Sequence, residues 1–388
     1  MVGDEVIKDL SKRLNSITHA DDMIAKIGGT EFAIIMGLNH LHTQISSQDQ
    51  TQCVKFAKEL ISASCLPFYL SSGQKCEIGL NVGAAAFPQD ANSAEELMKY
   101  ADLAVYSAKK KTKSSIEFYS KKLVDASLKR IEMEDALRNA IEKQKFELYL
   151  QPMLDLDCGK IVKAEALIRW NHPNGHVVSP DEFIPLAEQT GLIIPMGKWV
   201  IKEACSILQQ LSAKGEEIKL SINLSPRQVS DRQLFEFIKN SVEKAQIDPQ
   251  RLELELTEGV LIDNYDKVNY LLDEVRKLGI TVSIDDFGTG YSSLAYLQKL
   301  PIDRLKIDKS FVKELIENSN DSHGAIILAV IAIARSLRLE VIAEGVETTL
   351  QKDFLKLNNC NIVQGYLFSR PVPYDDFCIL LEEQKNTH

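Results

Sequence analysis

From residue 146 onward the chain sets eight short apolar runs among helical patterns, and no other feature constrains its fold as much. The runs are "FELYLQPM", "KAEALIRW", "IKLSINLS", "LELELTEG", "TVSIDDFG", "DRLKIDKS", "EVIAEGVE" and "NIVQGYLFS". Stretches such as "PMGKWVIKEACSILQQLSAKG" and "DNYDKVNYLLDEVRKLGI" carry helical periodicity between them. Strands that alternate with helices build a mainly parallel sheet. Eight of them in about 250 residues point to an α/β fold, a (β/α)8 TIM-like barrel. The first two runs are joined only by "LDLDCGKIV", too short for a crossover helix. A hairpin is expected there, which makes one barrel strand antiparallel.

Near the end of each run sits a polar group that does not suit a core: Gln151, Glu165, Asn223, Glu255, Asp285 with Asp286, Lys306, Glu344 and Gln364. Barrel strand ends converge on one mouth, where active sites lie. Glu165, Glu255, Asp285 and Asp286 would then crowd one pocket, and four carboxylates cannot all stay ionised without counter-charge. Divalent cations supply it, and an all-oxygen donor set without Cys or His selects Mg2+ or Mn2+ over zinc. Adjacent aspartates also suit a two-metal site, with ions about 3.5–4 Å apart. A single acid after a strand often only caps the next helix. Gln151 before Pro152 reads equally as a turn residue, and Lys306 as the partner of a structural carboxylate. One cap does not explain polar groups at eight strand ends.

Two hard metals on carboxylates suit phosphoester hydrolysis. Glu344 is the acid left over after the ligands and is the candidate general base. Lys306 is the candidate for holding the attacking water or stabilising transition-state charge.

Composition narrows the substrate. A net charge of −10 and a pI near 5.4 argue against a nucleic-acid polymer as partner. A phosphate compound remains open where metal ions bring the positive charge. Seven cysteines, an odd number without a CxxC pair, fit reduced thiols in a cytoplasmic chain. His172 and His176 lie in "HPNGH", a turn sequence that does not aim two rings at one zinc. The longest apolar run, "AIILAVIAIA" at 325–334, is shorter than the roughly 20 residues of a membrane span and reads as a buried helix, so no membrane segment is expected. An upstream membrane or sensor region is compatible with this reading.

The motifs "EALIRW" (165–170), "SINLS" (221–225), "LELTE" (254–258), "DDFGTGYSSL" (285–294), "LKIDKSF" (305–311), "AEGVE" (343–347) and "QGYLFSRP" (364–371) resemble the EAL family of cyclic-di-GMP phosphodiesterases. The resemblance covers roughly 140–388 and implies a barrel with one antiparallel strand. It also implies cleavage of cyclic di-GMP to linear pGpG with Mg2+ or Mn2+, and inhibition by Ca2+. By this resemblance Glu165, Asn223, Glu255 and Asp285 ligate metal, and Asp286 completes the second site. Lys306 orients the water and Glu344 is the general base. Arg169 contacts phosphate, Gln151, Gln364 and Asp308 belong to the substrate side, and Glu258 holds the "DFGTG" loop. The family also implies a homodimer.

The first part resembles a GGDEF-type diguanylate cyclase through "IGGTEFAIIM" (27–36), "GLNVGAAAFPQD" (79–90) and "ADLAVYSAKKK" (101–111). Thr30 replaces an acid of the GG[DE]EF signature, leaving Glu31. The product-inhibition motif RxxD reads "HADD", with His19 for Arg and only Asp22 kept. "GDEV" (3–6) resembles the middle of a cyclase motif, with Asp4 at a guanine-contacting position, and the strand expected before it is missing. The resemblance therefore implies a degenerate, N-terminally truncated domain that does not cyclise GTP, with GTP as a candidate ligand only. The expected organisation is a cyclase-like α+β domain at 1–120, a connecting amphipathic helix at 121–144 with Leu123, Leu128, Ile131, Leu137 and Ile141 on one stripe, and the phosphodiesterase domain at 145–388. The alternative is a non-catalytic cyclic-di-GMP receptor signalling through that helix; a bifunctional cyclase–hydrolase is disfavoured by Thr30.

Overall fold

The structure is a computed structural model of the 388-residue chain. It describes all residues except 1, 20, 38–46, 72, 74, 112–113, 173–174, 176, 264, 290–296, 318–323 and 387–388. Two compact units are present, Met1–Glu132 and Met133–His388.

In the second unit eight strands close on themselves: β1 (Phe146–Asp155), β2 (Lys160–Asn171), β3 (Lys219–Leu224), β4 (Leu252–Thr257), β5 (Thr281–Phe287), β6 (Arg304–Ile307), β7 (Glu340–Ala343) and β8 (Ile362–Gln364). They pair in chain order, and β1 joins β8 on one side and β2 on the other. Pairing of β2 with β3 completes the circle. Both pairings of β1 are antiparallel, as the short "LDLDCGKIV" connection requires; the other neighbours are parallel. The fold is therefore the eight-stranded barrel expected, with its one reversed strand.

The strands alternate apolar and polar residues, yet both faces are buried. Leu220, Ile222, Leu252, Leu254, Leu256, Val282, Ile284, Leu305 and Ile307 belong to the large cluster shared with the outer helices. Each such side chain contributes about 1.5–3 kcal/mol of burial free energy. The polar residues between them face the barrel interior. A second cluster gathers Leu137, Phe146, Trp170, Phe183 and Met196, with Trp170 edge-on to Phe183 at 5.6 Å between centroids.

Two helices depart from expectation. Lys121–Glu142 is a single helix, and the boundary between the units falls inside it. Its expected stripe does not run its length: Leu137 is fully buried, whereas Ile131 is 59% exposed, and the Leu123 and Leu128 side chains lie outside the description. The helix Ala325–Leu337 that contains "AIILAVIAIA" buries one face only: Ile327, Val330 and Ala334 are covered while Ile326 and Leu328 are exposed. No helix among the described residues is long and apolar enough to cross a membrane. All seven cysteines are free thiols.

The first unit packs Val6, Leu10 and Leu14 of the helix Val2–Asn15 against Phe56, Leu60 and Phe68. Its "GGTEF" forms the turn of an antiparallel hairpin, Met23–Gly28 with Glu31–Ile35. Glu31, the acid kept from the signature, sits 3.5 Å from Lys109, both well exposed.

Gly365, directly after β8, lies hard against the backbone of Val346. A Cβ there would meet Val346 O at 2.0 Å and Val346 N at 2.3 Å. Gly365→Ala must push two backbones apart, at about 1–3 kcal/mol. Urea denaturation is expected to give a correspondingly lower midpoint with an unchanged slope; a wild-type midpoint would mean that this crossing has slack.

Candidate active site

The mouth of the barrel is built by register. Parallel pairing puts Asn223 beside Glu255, and antiparallel pairing puts Gln151 beside Glu165. Residues two apart share a face, so Arg169 follows Glu165 on the interior face of β2. Glu344 comes one residue after β7, and Asp308 one after β6.

Lys306 is fully buried at the centre. Its Nζ lies 2.6 Å from Glu255 Oε2, 3.3 Å from Asp285 Oδ1 and 3.7 Å from Glu165 Oε2, and it also pairs closely with Glu344. Four carboxylates thus share one ammonium. Lys306 is held well above its ordinary pKa because its acidic neighbours outweigh the effect of burial. Burial first, then the neighbouring carboxylates, push Glu255 up to about 8 and Glu344 well above the usual carboxylate range.

Glu165 is the hub of a second set of bonds. Asn223 Nδ2 donates to its Oε1 at 2.7 Å, and Gln364 Nε2 donates to its Oε2 at 2.7 Å and to Gln151 Oε1 at 2.9 Å. Gln151 Nε2 in turn donates to the carbonyl of Ser369 at 3.3 Å. Glu255 Oε1 and Gln364 Oε1 are buried with no hydrogen-bond partner.

The two adjacent aspartates aim their side chains at different partners. Asp286 has φ 53°, in the left-handed region, and the register between β5 and β6 slips at this point. Such a bulge re-aims side chains. Asp285 turns to Lys306 and accepts the Asp286 backbone N–H at 2.9 Å. Asp286 instead shares a hydrogen bond with Asp308. Burial, then Asp285, push Asp286 up to about 6. Asp308 stays low despite burial, because the Ser310 hydroxyl and backbone N–H donate to it.

Glu258, buried at the start of the helix Glu258–Asp263, accepts the Gly288 backbone N–H at 3.1 Å. Gly288 has φ +100° and rests on Phe311, so a side chain there is strained as well as crowded. The rest of the "DFGTGYSSL" motif, 290–294, lies outside the described residues. Arg169 is half-buried, with its guanidinium carbon 5.3 Å from the Tyr149 ring centroid and Nη1 donating to the Ile168 carbonyl at 3.0 Å. His172 packs on Trp170, and His176 lies outside the described residues.

The acids fit a hard cation by donor chemistry. They are all-oxygen, carry more negative charge than one lysine offsets, and leave a buried Glu255 oxygen without a partner. As the side chains stand, no three Asp, Glu, His or Cys among the described residues form a ready cage. The Lys306 ammonium sits among them as a counter-charge, which makes it the partner of four carboxylates rather than of one.

One layer was missed altogether. Two residues before Glu165, Glu255 and Lys306 lie Lys163, Glu253 and Arg304, on the same interior face. Lys163 and Arg304 both pair with Glu253, which also accepts from Thr281 Oγ1 at 3.0 Å. Lys163 and Glu253 are 2% and 0% exposed, and Arg304 leads from them out to the half-exposed Glu340. Burial raises Glu253, but Lys163 and Arg304 together bring it below the usual carboxylate range.

The sequence matches the family described as EAL domain over residues 134–371, and that described as diguanylate cyclase, GGDEF domain, over 1–115. Similar proteins include the signaling protein YkoW of Bacillus subtilis, 40% identical over 99% of this chain and 47% of its own length. The cyclic di-GMP phosphodiesterase NbdA of Pseudomonas aeruginosa is 38% identical over 96% of this chain and 46% of its own length. The chain thus spans about half the length of these relatives. Among solved structures, a PaMucR phosphodiesterase in complex with c-di-GMP is similar at TM-score 0.61 and 38% identity, covering 63% of this chain and 99% of its own. The EAL enzyme Bd1971, bound to cAMP and cyclic di-GMP, is similar at TM-score 0.62 and 36% identity, covering 66% and 70%.

Proposed function

This chain belongs to the EAL domain family, with a GGDEF domain ahead of it, and from that premise we propose that it hydrolyses cyclic di-GMP to linear pGpG. The observation that carries the proposal is the set of four carboxylates around buried Lys306, with an unpartnered Glu255 oxygen. The similarity to a phosphodiesterase structure titled as a c-di-GMP complex supports the substrate.

Glu165, Asn223, Glu255 and Asp285 are the residues that would hold a divalent cation, Mg2+ or Mn2+, with Asp286 serving a second one. A dication there would polarise the phosphoryl oxygens and offset the crowded negative charge. Gln364, itself held by Gln151, orients Glu165, and both amides stand on the substrate side of the site. Arg169 binds the phosphate and Asp308 orients Asp286. Glu344, which pairs with Lys306 beside the acids that would hold the cation, is placed to accept the proton of the attacking water. Lys306 holds that water and steadies charge on the phosphoryl oxygens. The bond between phosphorus and the ribose 3′ oxygen breaks, leaving a 5′-phosphate and a 3′-hydroxyl. Thr30 in place of the cyclase acid assigns the N-terminal domain a role other than GTP cyclisation.

The deciding experiment incubates the chain with cyclic di-GMP and Mg2+, Mn2+ or Ca2+ and resolves the products by chromatography. Linear pGpG with the first two and little with Ca2+ is expected. Tight binding without product would replace the enzyme by a receptor. Glu344→Gln should keep metal and substrate binding while slowing turnover about 100-fold, the usual worth of a positioned base. Unchanged turnover would move the base role to another residue.

A further inference from the structure

We infer that the charged layer Lys163–Glu253–Arg304 beneath the mouth is a charge-tuning layer that sets how strongly the carboxylates above it hold a divalent cation. The inference rests on the metal-dependent reading above and adds positioning residues to it.

The geometry is that of two stacked rows. On β2, β4 and β6 the charged residues come in pairs two apart: Lys163 and Glu165, Glu253 and Glu255, Arg304 and Lys306. Pairing of Lys163 with Glu253 reaches across β3, which only interior-facing side chains can do. The upper row is rich in anions with one cation, whereas the lower row has two cations on one enclosed anion, with Glu340 on the outer side of Arg304. A layer with structural duties alone needs no charge here, because well-packed apolar residues stabilise an interior as well as a buried ion pair does.

Two residues along a strand span about 7 Å. A unit charge removed at that distance from a dication changes binding by roughly sevenfold even at the dielectric of bulk water, and by more in a protein interior. The sign depends on which charge is removed. Losing Lys163 leaves the interior more negative and strengthens cation binding; losing the Glu253 charge does the opposite. Structural damage weakens binding in both cases.

The test uses the full chain with Mn2+, followed by the electron paramagnetic resonance signal of the free ion. Lys163→Met is expected to lower the Mn2+ Kd at least about fivefold and Glu253→Gln to raise it at least about fivefold. Lys163→Arg, which keeps the charge, should bind as wild type, and so should Lys163→Met/Glu253→Gln, in which the two changes cancel. Circular dichroism identifies any variant that does not fold; the charge-keeping and double variants then carry the test. Both single variants binding more weakly, or the double variant failing to restore affinity, overturns the tuning role. A wild-type chain that holds no Mn2+ overturns the metal reading itself, and the tuning with it.

Discussion

Glu165→Ala is expected to abolish hydrolysis of cyclic di-GMP while leaving the metal-free fold at least as stable as wild type. The carboxylate accepts from Asn223 and Gln364 and faces Lys306, so its loss unties three polar side chains at once. It also removes one of the proposed cation ligands. Turnover should fall at least about a thousandfold, the upper end of what one preorganised electrostatic group is worth. Stability moves the other way. Four acids share one ammonium, so removing one ends its repulsion with the other three. Thermal unfolding in EDTA and a chromatographic assay with Mn2+ measure the two effects. Wild-type turnover would strike Glu165 from the site. A much less stable apo protein would mean that its hydrogen bonds outweigh the repulsion.

That site was partly legible because the barrel converts strand ends into neighbours. One polar residue at the end of each run marked the mouth, and the loop too short for a helix marked the reversed strand. The lower row was just as present in the sequence, as "KAE", "SIN", "ELE", "SID" and "RLK", each with polar residues two apart. The expectation took only the polar residue near the end of each run, so the deeper member of each pair went unassigned. Which deep residues meet across the interior depends on the exact register of pairings such as β2 with β3, where Lys163 lies beside Lys219, 56 residues on. The parting of Asp285 and Asp286 was equally hidden, because it depends on one left-handed φ at Asp286. Helix burial misled in the same way. "AIILAVIAIA" is apolar all round, yet Ile326 and Leu328 are exposed in the structure.

Lys306→Met should make the metal-free protein strongly pH-sensitive. Among the described residues, Lys306 is the cation paired with Glu165, Glu255, Asp285 and Glu344, and its side chain is fully buried. Breaking a buried ion cluster by removing one partner costs about 3–5 kcal/mol, since the charges left behind have no water to replace it. The acids can escape that cost by taking up protons. Glu255 already binds its proton more tightly folded than unfolded, with its pKa raised to about 8 from 4.5. A group raised in this way adds stability below its unfolded value, and that stability drains away as pH climbs through the folded value. Without the lysine the folded values rise further, so the deficit is small near pH 5 and grows through pH 8. Melting curves of both proteins in EDTA at pH 5 and pH 8.5 should therefore diverge at the higher pH only. Mn2+ at pH 8.5 should recover part of the loss by binding the folded state, although turnover stays depressed by about 100-fold or more. An equal deficit at both pH values would mean that the lysine stem, rather than its charge, holds the barrel centre together.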